Sequence, residues 1–429
     1  MNKFVCFVFL LLFVFNTKTI YPQNIDYLKS NELRKESINK YLSKDYSGFL
    51  QKTLDAIQLR KNHPALIYNT AIGYALTNNI DSAISYLNQL AYMKLYFPAE
   101  KDSDFVSLWE NQNFKNIVTK FESALSQYGK SEIAFSLNEK DLLTESVAYN
   151  PVTKNFYVGS VHKRKIICIS NDGKAELFAE SGENTFGGVF GMKIDSKNNL
   201  LWACTGYLPQ MSGFNESQNG ISEIIKFDLN SGKILQKYSI DEGEHLFGDL
   251  VIDSNGNFYI SDSRDNNIYC IKYGDDKITL FLSSNNFASL QGIDFSADED
   301  FLFAADYAMG LYKIEIKNKN VSSINIPKDL SVLGIDGLYF YKNSLIGIQN
   351  GVNPQRVIKM NLDNNLENIT SWELLEANNE YFFEPTLGVL NGDYFYYIAN
   401  SQWPNFNEDG TIASEEKLQF PVVLKLNLR

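Results

Sequence analysis

Three oxygen-bearing side chains, Glu145, Gln291 and Asp336, stand at equivalent places in a motif that recurs along this 429-residue sequence. Each begins the first strand of a predicted repeat. The equivalent positions of the other repeats hold Phe190, Gly248 and Leu387, with Asp249 next to Gly248. Two carboxylates and one amide carbonyl are ligands that a hard cation such as Ca²⁺ accepts, and they leave positions for water or substrate. The alternative is that these residues cap strand ends or bond neighbouring units.

A second set of polar residues ends the second strand of each repeat. These strands read FYVGS, LWACT, FYISD, LFAAD, IGIQN and YIAN, and they finish at Ser160, Thr205, Asp262, Asp306, Asn350 and Asn400. Six such ends around one axis predict a solvated mouth that binds hydroxyl groups.

Three connections on the same predicted rim are long, at 206–220, 351–355 and 401–419. Long loops gathered on one rim usually carry function. His162 comes just after Ser160 on this rim, and a histidine beside a channel can act as a general base. The competing interpretation of His162 is a solvated loop residue.

The elements that must position these residues are short strands with a period of about 40–50 residues, which is typical of a propeller with one blade per repeat. Six blades are predicted, at 142–181, 185–242, 245–286, 287–329, 331–378 and 383–428. The sixth blade is one strand short, and the strand-like run 132–138 precedes the first blade without a partner of its own. We therefore expect this run to close the propeller domain, 129–429, by covering an exposed sheet edge.

The segment before the repeats, 24–128, lacks the alternation of strands and is predicted to be helical. Ile84, Leu87 and Leu90 recur at helical spacing, and the stretch 68–74 resembles a tetratricopeptide repeat. Such helix pairs present a concave surface for a protein partner. Stacked repeats normally need three or more units, so the favoured interpretation is that these helices pack on the propeller.

The first 23 residues have the features of a secretory signal peptide. The basic start Met1-Asn2-Lys3 precedes an apolar run from Phe4 to Phe15, a pattern typical of export and too short to span a bilayer comfortably. We therefore expect an exported protein, periplasmic or extracellular, with no stable membrane span. A formal net charge of −12 argues against nucleic acid and anionic membrane surfaces as partners.

Several catalytic signatures are absent from the sequence. It contains no G-x-S-x-G elbow, no metalloprotease histidine pair, no phosphate-binding glycine loop and no dinucleotide fingerprint. These absences disfavour serine-protease and nucleotide-dependent functions.

Region 142–428 resembles the senescence marker protein/gluconolactonase superfamily of six-bladed propellers, including its paraoxonase-like relatives. The resemblance rests on ESVAY at 145–149, QGI at 291–293, GIDGL at 334–338 and the strand ends Asp262 and Asp306. In that family a glutamate, one or two asparagines and an aspartate bind a divalent metal that polarises a lactone or ester carbonyl. Glu145 matches the glutamate and Asp336 the aspartate. Gln291 stands at an asparagine position, and Gly248 stands where a second asparagine is often found.

These patterns and the resemblance predict a mainly β fold: a six-bladed β-propeller preceded by a small α-helical tetratricopeptide-like domain. The resemblance further implies a metal-assisted hydrolase of a lactone or related ester, with Glu145, Gln291 and Asp336 binding Ca²⁺ or another divalent ion. Asp336 and His162 would be catalytic. The substrate-binding residues would be Asp249, Asp262, Asp306, Asn350, Arg356, Asn400 and Trp403. The alternative is a non-catalytic propeller that binds a sugar-like ligand or a protein, with a partner docked on the helical domain.

Overall fold

The computed structural model describes residues 24–182, 185–407 and 409–429. Its architecture is a six-bladed β-propeller preceded by a helical region, which confirms the predicted fold class. The predicted signal peptide, 1–23, lies outside the described residues. Within the described residues, none of the helices is long and apolar enough to cross a membrane.

The helical region consists of five α-helices, each of which begins after a polar residue whose side chain accepts a hydrogen bond from the first turn. The helices are α1 (Ile25–Leu42), α2 (Tyr46–Leu59), α3 (Pro64–Leu76), α4 (Ile80–Tyr92) and α5 (Gln112–Ala124). Such caps satisfy backbone N–H groups that have no partner within the helix. Helix α1 packs on α2, and α3 packs on α4. Two short 3₁₀ turns, Ala99–Lys101 and Ser103–Leu108, precede α5.

Each blade is a four-stranded antiparallel sheet. Blade 1 contains β2 (Thr144–Tyr149), β3 (Phe156–Ser160), β4 (Lys165–Ile169) and β5 (Ala175–Glu180), and blade 2 contains β6 (Gly188–Asp195), β7 (Leu200–Gly206), β8 (Ser222–Asp228) and β9 (Ile234–Ser239). Blade 3 contains β10 (Phe247–Ile252), β11 (Phe258–Asp262), β12 (Asn267–Ile271) and β13 (Thr279–Ser283), and blade 4 contains β14 (Leu290–Phe295), β15 (Phe301–Asp306), β16 (Gly310–Glu315) and β17 (Val321–Ser323). Blade 5 contains β18 (Ile335–Tyr341), β19 (Ser344–Gln349), β20 (Arg356–Leu362) and β21 (Ile369–Ala377).

Blade 6 combines strands from both ends of the propeller. It contains β22 (Gly388–Asn391), β23 (Tyr394–Ile398) and β24 (Val422–Asn427), and its outermost strand is β1 (Glu132–Ser136), which pairs antiparallel with β24. The strand expected to close the ring therefore lies where the sequence places it. Closure leaves β24 with partners on both sides and covers a sheet edge that would otherwise be exposed.

The innermost strand of five blades carries a β-bulge near its start, after the second residue pair in blade 2 and after the first pair in the other four. The register shifts between Thr144 and Val147, Val189 and Met192, Phe247 and Asp249, Leu290 and Ile293, and Ile335 and Leu338. A bulge bends the strand and redirects a side chain. The residues inside these bulges include Glu145, Phe190, Gly248, Gln291 and Asp336, so the predicted first-strand positions share one backbone feature. We call these five residues the bulge ring.

The bulges also bring inner strands of neighbouring blades close together. A Cβ atom on Gly292 would lie 2.5 Å from the backbone nitrogen of Leu338, and one on Gly337 would lie 2.9 Å from the carbonyl oxygen of Thr386. Only glycine permits such an approach of two backbones. The inner strands of blades 4, 5 and 6 are therefore in close backbone contact at these positions.

The helical region packs on the rim of blades 4 and 5. Arg60 donates two hydrogen bonds to the carbonyl of Ala308, at 3.1 and 2.8 Å, and Asn62 donates to the carbonyls of Pro327 and Leu330, both at 3.0 Å. From the propeller side, Arg356 donates to the carbonyl of Met93 at 2.6 Å. The contacted loops join second to third strands or successive blades, so the helices cover part of the rim that carries the long connections.

Candidate functional site

Three carboxyl groups converge near the channel mouth: Glu145 from the bulge of blade 1, Asp336 from the bulge of blade 5, and Glu384 from the loop before blade 6. Burial raises the pKa of Glu145 well above its ordinary range, and the nearby carboxylates of Asp336 and Glu384 raise it further. Within the described residues, no lysine or arginine lies in ion-pair contact with any of the three. The group thus concentrates negative charge in a poorly solvated place, where a bound cation or protons would be stabilised.

Glu145 is 6% exposed and is held by neighbours in blade 6. The indole N–H of Trp403 donates to its Oε1 atom, and the ring of Trp403 stacks on Phe190 at a centroid distance of 6.4 Å. The backbone carbonyl of Glu145 accepts from the hydroxyl of Thr386 at 2.8 Å. Trp403, predicted to bind substrate, therefore contacts a predicted metal ligand directly.

Asp336 is half-buried and is oriented by Asn350. The Nδ2 atom of Asn350 donates to Oδ2 of Asp336 at 2.8 Å and to the carbonyl of Pro385 at 3.0 Å, while its Oδ1 accepts from the hydroxyl of Tyr307 at 3.0 Å. Burial raises the pKa of Asp336, and the hydrogen bond from Asn350 acts in the opposite direction. The side chain of Asn350 thus has partners within the protein at both of its polar atoms.

Glu384 is the site residue that the sequence reasoning missed. Its backbone has a left-handed φ of +71°, which few non-glycine residues adopt. The conformation is held because its N–H donates to Oε1 of Gln355 at 3.0 Å and its carbonyl accepts from the hydroxyl of Ser401 at 2.9 Å. The Oε2 atom is buried without a hydrogen-bond partner. Burial, followed by the charge of Asp336, raises the pKa of Glu384 to about 7.

Gln291 occupies the neighbouring sector of the channel. Its Nε2 donates to the hydroxyl of Ser289 at 3.4 Å, and its Oε1 lies 4.0 Å from the position that a Cβ atom on Gly248 would take. The longer glutamine side chain thus reaches towards the space that Gly248 leaves empty. Gln291 and Gly248 are therefore neighbours in the channel.

Deeper in the channel, Asp249 and Asp294 bond neighbouring blades. Oδ2 of Asp249 accepts from the N–H of Ile293 at 3.3 Å, and Oδ2 of Asp294 accepts from the N–H of Phe340 at 2.8 Å. Burial raises the pKa of both carboxyl groups, and the charge of Lys193 lowers it. Asp249, which was predicted to bind substrate, therefore bonds the inner strands of two neighbouring blades.

The ring of polar strand ends is not a solvated mouth, which corrects the sequence-based expectation. Ser160, Thr205, Asp262, Asp306 and Asn400 are each at most 1% exposed. Asp306 accepts four backbone N–H groups, from Ala288, Ser289, Ala308 and Met309. Asp262 accepts the N–H groups of Leu246, Arg264 and Asp265. The side chains of Asp262 and Asp306 thus bind backbone N–H groups at the ends of their blades. Substrate could reach them only if those hydrogen bonds broke.

The strand-end register in blade 5 also differs from the expectation by one residue. Gln349, not Asn350, pairs with the first residue of the inner strand, Ile335, as Asp306 pairs with Leu290. Gln349 donates to the carbonyls of Ser331 and Leu333, at 2.9 and 2.6 Å. The shift leaves Asn350 beyond the strand end, where its side chain faces Asp336.

Arg356 does not lie on a pocket rim, which is a second correction. It is fully buried at the start of β20, where it donates to Oε1 of Gln349 at 2.6 Å as well as to Met93 in the helical region. Burial lowers the pKa of Arg356 to about 9. Asn400 is likewise internal, since it donates to the carbonyl of Phe420 at 3.0 Å and accepts from the N–H of Val422 at 2.8 Å.

His162 is 7% exposed rather than a solvated loop residue. Its Nδ1 lies 2.7 Å from the carbonyl oxygen of Gln210, so Nδ1 carries the proton and Nε2 can accept one. Burial lowers the pKa of His162, and its ring packs on Phe406 at 5.0 Å. No hydrogen bond joins it to the three carboxylates in the described part of the chain.

A separate group, His245, Asp262 and Asp265, is the only trio of His, Cys, Asp or Glu in the described residues whose ligand atoms all lie within 4.8 Å of one another. Nδ1 of His245 donates to Asp262 at 2.7 Å and its Nε2 donates to the carbonyl of Glu242 at 2.8 Å. Both ring nitrogens are therefore used within the protein. The carboxylates of Glu145, Asp336 and Glu384 are more widely spaced than this trio.

No family model matches the sequence, and no curated protein matches it. Among solved structures, a gluconolactonase from Xanthomonas campestris is 11% identical, with a TM-score of 0.46 over 66% of this chain and 86% of that one. A virginiamycin B lyase from Staphylococcus aureus is 14% identical, with a TM-score of 0.46 over 69% and 99%. A pyrroloquinoline quinone-bound aldose sugar dehydrogenase from Streptomyces coelicolor is 12% identical, with a TM-score of 0.46 over 70% and 99%. At these values the likeness carries no argument about the chemistry of the site.

Proposed function

We propose that this protein is a divalent-cation-dependent hydrolase of a lactone or related ester, with its active site at the channel mouth. The observation that carries the proposal is the convergence of Glu145, Asp336 and Glu384 without a basic counterion among the described residues. Like charges buried together destabilise one another, and a divalent cation would relieve that repulsion.

The donor chemistry of the site fits Ca²⁺. All candidate ligands are oxygens, and Ca²⁺ takes carboxylates and amide carbonyls with bonds of about 2.3–2.6 Å. The Oε2 atom of Glu384 is buried and has no other partner. Glu145, Gln291 and Asp336 would hold the ion, which when bound would polarise a substrate carbonyl and lower the pKa of a water molecule.

The protein would contribute orientation and proton transfer. Asn350 fixes one oxygen of Asp336 at 2.8 Å and leaves the other for a water molecule, which is the arrangement a general base needs. Trp403 and Phe190 supply an apolar wall against Glu145 that would exclude bulk water. His162, neutral because burial lowers its pKa, is a second candidate base on the same rim.

We also propose that the protein is exported and that it binds a small ligand. The N-terminal pattern supports secretion to the periplasm or the extracellular space, where Ca²⁺ is available. The ligand would be a small lactone or a sugar-like molecule, recognised by the site oxygens and by the ring of Trp403. A protein partner could reach only the surface of the helical region that faces away from blades 4 and 5.

The test begins with Ca²⁺ binding to the purified protein by isothermal titration calorimetry. A panel of lactones and esters is then assayed with Ca²⁺ and with a chelator. We expect one tight site per chain and hydrolysis that the chelator abolishes. Asp336→Asn should abolish both properties, whereas the matched variant of an exposed aspartate, Asp276→Asn, should retain them.

The outcomes separate the two candidate functions. Calcium binding that Asp336→Asn abolishes, without turnover of any lactone or ester, would favour the non-catalytic binding propeller. An absence of calcium binding together with an absence of turnover would refute the hydrolase. Turnover that survives chelation and the Asp336→Asn change would place the activity elsewhere in the molecule.

A further inference from the structure

Asn350 is connected to the helical region by two routes of direct contacts. In the first, Arg60, the residue just after α2, donates from Nε and Nη2 to the carbonyl of Ala308, at 3.1 and 2.8 Å. The preceding residue, Tyr307, donates its hydroxyl to Oδ1 of Asn350 at 3.0 Å. A helix residue is thus one peptide unit away from a side chain that contacts Asn350.

The second route runs through Arg356. Its Nη1 donates to the carbonyl of Met93, just after α4, and its Nε donates to Oε1 of Gln349, the residue before Asn350. The two routes approach Asn350 from different loops. Asn350 in turn donates to Asp336 and to the carbonyl of Pro385, the residue after Glu384.

The loops at this junction are packed closely around the Tyr307 ring. A Cβ atom on Gly351 would lie 2.5 Å from the hydroxyl oxygen of Tyr307, so glycine at this position allows the hydroxyl to reach Asn350. The N–H of Gly334 donates to the carbonyl of Tyr307 at 2.8 Å, and the N–H of Gly351 donates to the carbonyl of Gly334 at 3.1 Å. The junction therefore offers few alternative positions for Asn350.

Both arginines are unusual because they are buried without a carboxylate in ion-pair contact among the described residues. Arg60 is 6% exposed and Arg356 is fully buried. Burial of an unpaired cation costs free energy, and here the guanidinium groups bond carbonyls and a side-chain amide instead. Each guanidinium group therefore fixes the relative positions of the groups that it bonds.

We propose that the helical region is a positioning element of the carboxylate site: Arg60 and Arg356 hold the two loops that place Tyr307 and Asn350, and Asn350 orients Asp336 and the carbonyl of Pro385, the residue after Glu384. The chemical purpose of this positioning rests on the proposed function. The positioning itself does not, because it can be measured on the loops directly.

The test uses the full chain with three variants. Arg60→Met keeps the aliphatic packing and removes the bonds to Ala308, and Tyr307→Phe keeps the ring and removes only the hydroxyl. The control is Asn62→Gly, which removes two hydrogen bonds across the same interface at a residue with φ of +57°, a conformation that glycine adopts freely. Arg60→Lys, which can still donate to Ala308, is the conservative variant.

Calcium affinity and amide hydrogen exchange of the segment 345–352 are the two readouts. We expect Arg60→Met and Tyr307→Phe to weaken Ca²⁺ binding about tenfold, the effect usual for outer-shell partners of a metal site, and to speed exchange in that segment. Arg60→Lys should recover part of the affinity. Asn62→Gly should change Ca²⁺ affinity less than about twofold while lowering the melting temperature as Arg60→Met does.

Either of two results would overturn the proposal. The first is that Arg60→Met and Tyr307→Phe bind Ca²⁺ as tightly as the wild type and show the same amide hydrogen exchange in segment 345–352. The other is an effect of Asn62→Gly as large as that of Arg60→Met, which would reduce the contacts to generic interface stability. If the wild type binds no Ca²⁺, the proposed function fails, and exchange of 345–352 alone decides the positioning: faster exchange in Arg60→Met than in Asn62→Gly supports it, and equal exchange refutes it.

Discussion

Two rings of side chains surround the same channel and arise from the same repeat, yet they differ in how their polar atoms are used. The strand-end residues Asp262 and Asp306 are fully buried, and their carboxylates accept backbone N–H groups; Asp262, which lies beside Asp265, also accepts from His245. The bulge residues Glu145 and Asp336 are next to other carboxylates and each has one side-chain donor. The polar strand-end residues, which occur in every blade, stabilise the blades. The polar bulge residues, which occur in only some blades, are available to bind a ligand.

The physical difference between the rings lies in their partners. A buried carboxylate that accepts several N–H groups is stabilised by charge-assisted hydrogen bonds. A buried carboxylate close to a second one is destabilised by repulsion as well as by the loss of hydration. The strand-end ring therefore contributes to folding, whereas the two carboxylates of the bulge ring, Glu145 and Asp336, reduce stability until a cation or protons bind.

The largest effect that would test this contrast is expected at Asp262. Asp262→Ala leaves the N–H groups of Leu246, Arg264 and Asp265 without their acceptor, and it also removes the acceptor of His245 Nδ1. Because unsatisfied buried donors cost about 1–3 kcal/mol each, we expect the free energy of unfolding to fall by at least about 3 kcal/mol. Urea unfolding measures the change, with the exposed Asp275→Ala as control. Calcium affinity of the folded variant should equal that of the wild type; a marked loss would mean that the two rings are not separate in function.

For Glu145 we expect the reverse, namely a loss of Ca²⁺ affinity without a loss of stability. Glu145→Gln keeps an oxygen for the indole N–H of Trp403 but removes a charge from the site, so Ca²⁺ affinity should fall on the order of 100-fold. Without metal, the same variant should be about 1 kcal/mol more stable than the wild type near pH 8, because one buried carboxylate no longer repels its neighbours. Calorimetry and urea unfolding measure the two quantities. A variant that is less stable and still binds Ca²⁺ would contradict the assignment.

Glu384 provides a pH-dependent test of the same repulsion. Its pKa is raised from 4.5 to about 7 in the folded protein, so its contribution to stability is complete below about pH 4.5 and is lost as the pH rises through about 7. The metal-free wild type should therefore lose on the order of 2 kcal/mol more than Glu384→Gln between these pH values. Unfolding curves at several pH values measure the difference.

The control for this experiment is Glu416→Gln, which changes an exposed glutamate and should follow the wild type at every pH. Saturating Ca²⁺ should remove the pH dependence of the wild type, because a bound cation keeps the carboxylate ionised. Parallel curves for the wild type and Glu384→Gln would show that Glu384 does not titrate in this range.

The architecture was predictable from the sequence because its signals are local. Alternating apolar residues and turn residues mark each strand, and their period gives six blades. The same alignment selected Glu145 and Asp336, since the bulge that redirects them occurs at a fixed place in the repeat. The sequence predicted where the second strands end but not what the side chains at those ends do. The pattern does not reveal whether an aspartate faces water or backbone N–H groups.

The remainder of the site depends on contacts that no local pattern contains. Glu384 lies in the loop before the inner strand of blade 6, outside the strand positions that an alignment of repeats compares, so that alignment could not select it. Arg356 was placed on a rim because the docking of the helical region on blades 4 and 5 is not encoded in the repeat. Asn350 was assigned to substrate because a shift of one residue in register changes which side chain faces inwards.

The smallest expected effect concerns Gln291 and Gly248, which are neighbours in the channel. If Oε1 of Gln291 is a metal ligand, Gln291→Asn withdraws it by one methylene and should weaken Ca²⁺ binding about tenfold. A Cβ atom on Gly248 would meet no atom closer than 4.0 Å, and the nearest atoms are Oε1 of Gln291 and the hydroxyl of Ser261. The double variant Gly248→Asn/Gln291→Asn should therefore fold and restore most of the affinity from the neighbouring blade. Calorimetry on the single and double variants measures their coupling. Equal affinities in the wild type and in Gln291→Asn would remove Gln291 from the ligand set and leave the cation to the three carboxylates, Glu145, Asp336 and Glu384.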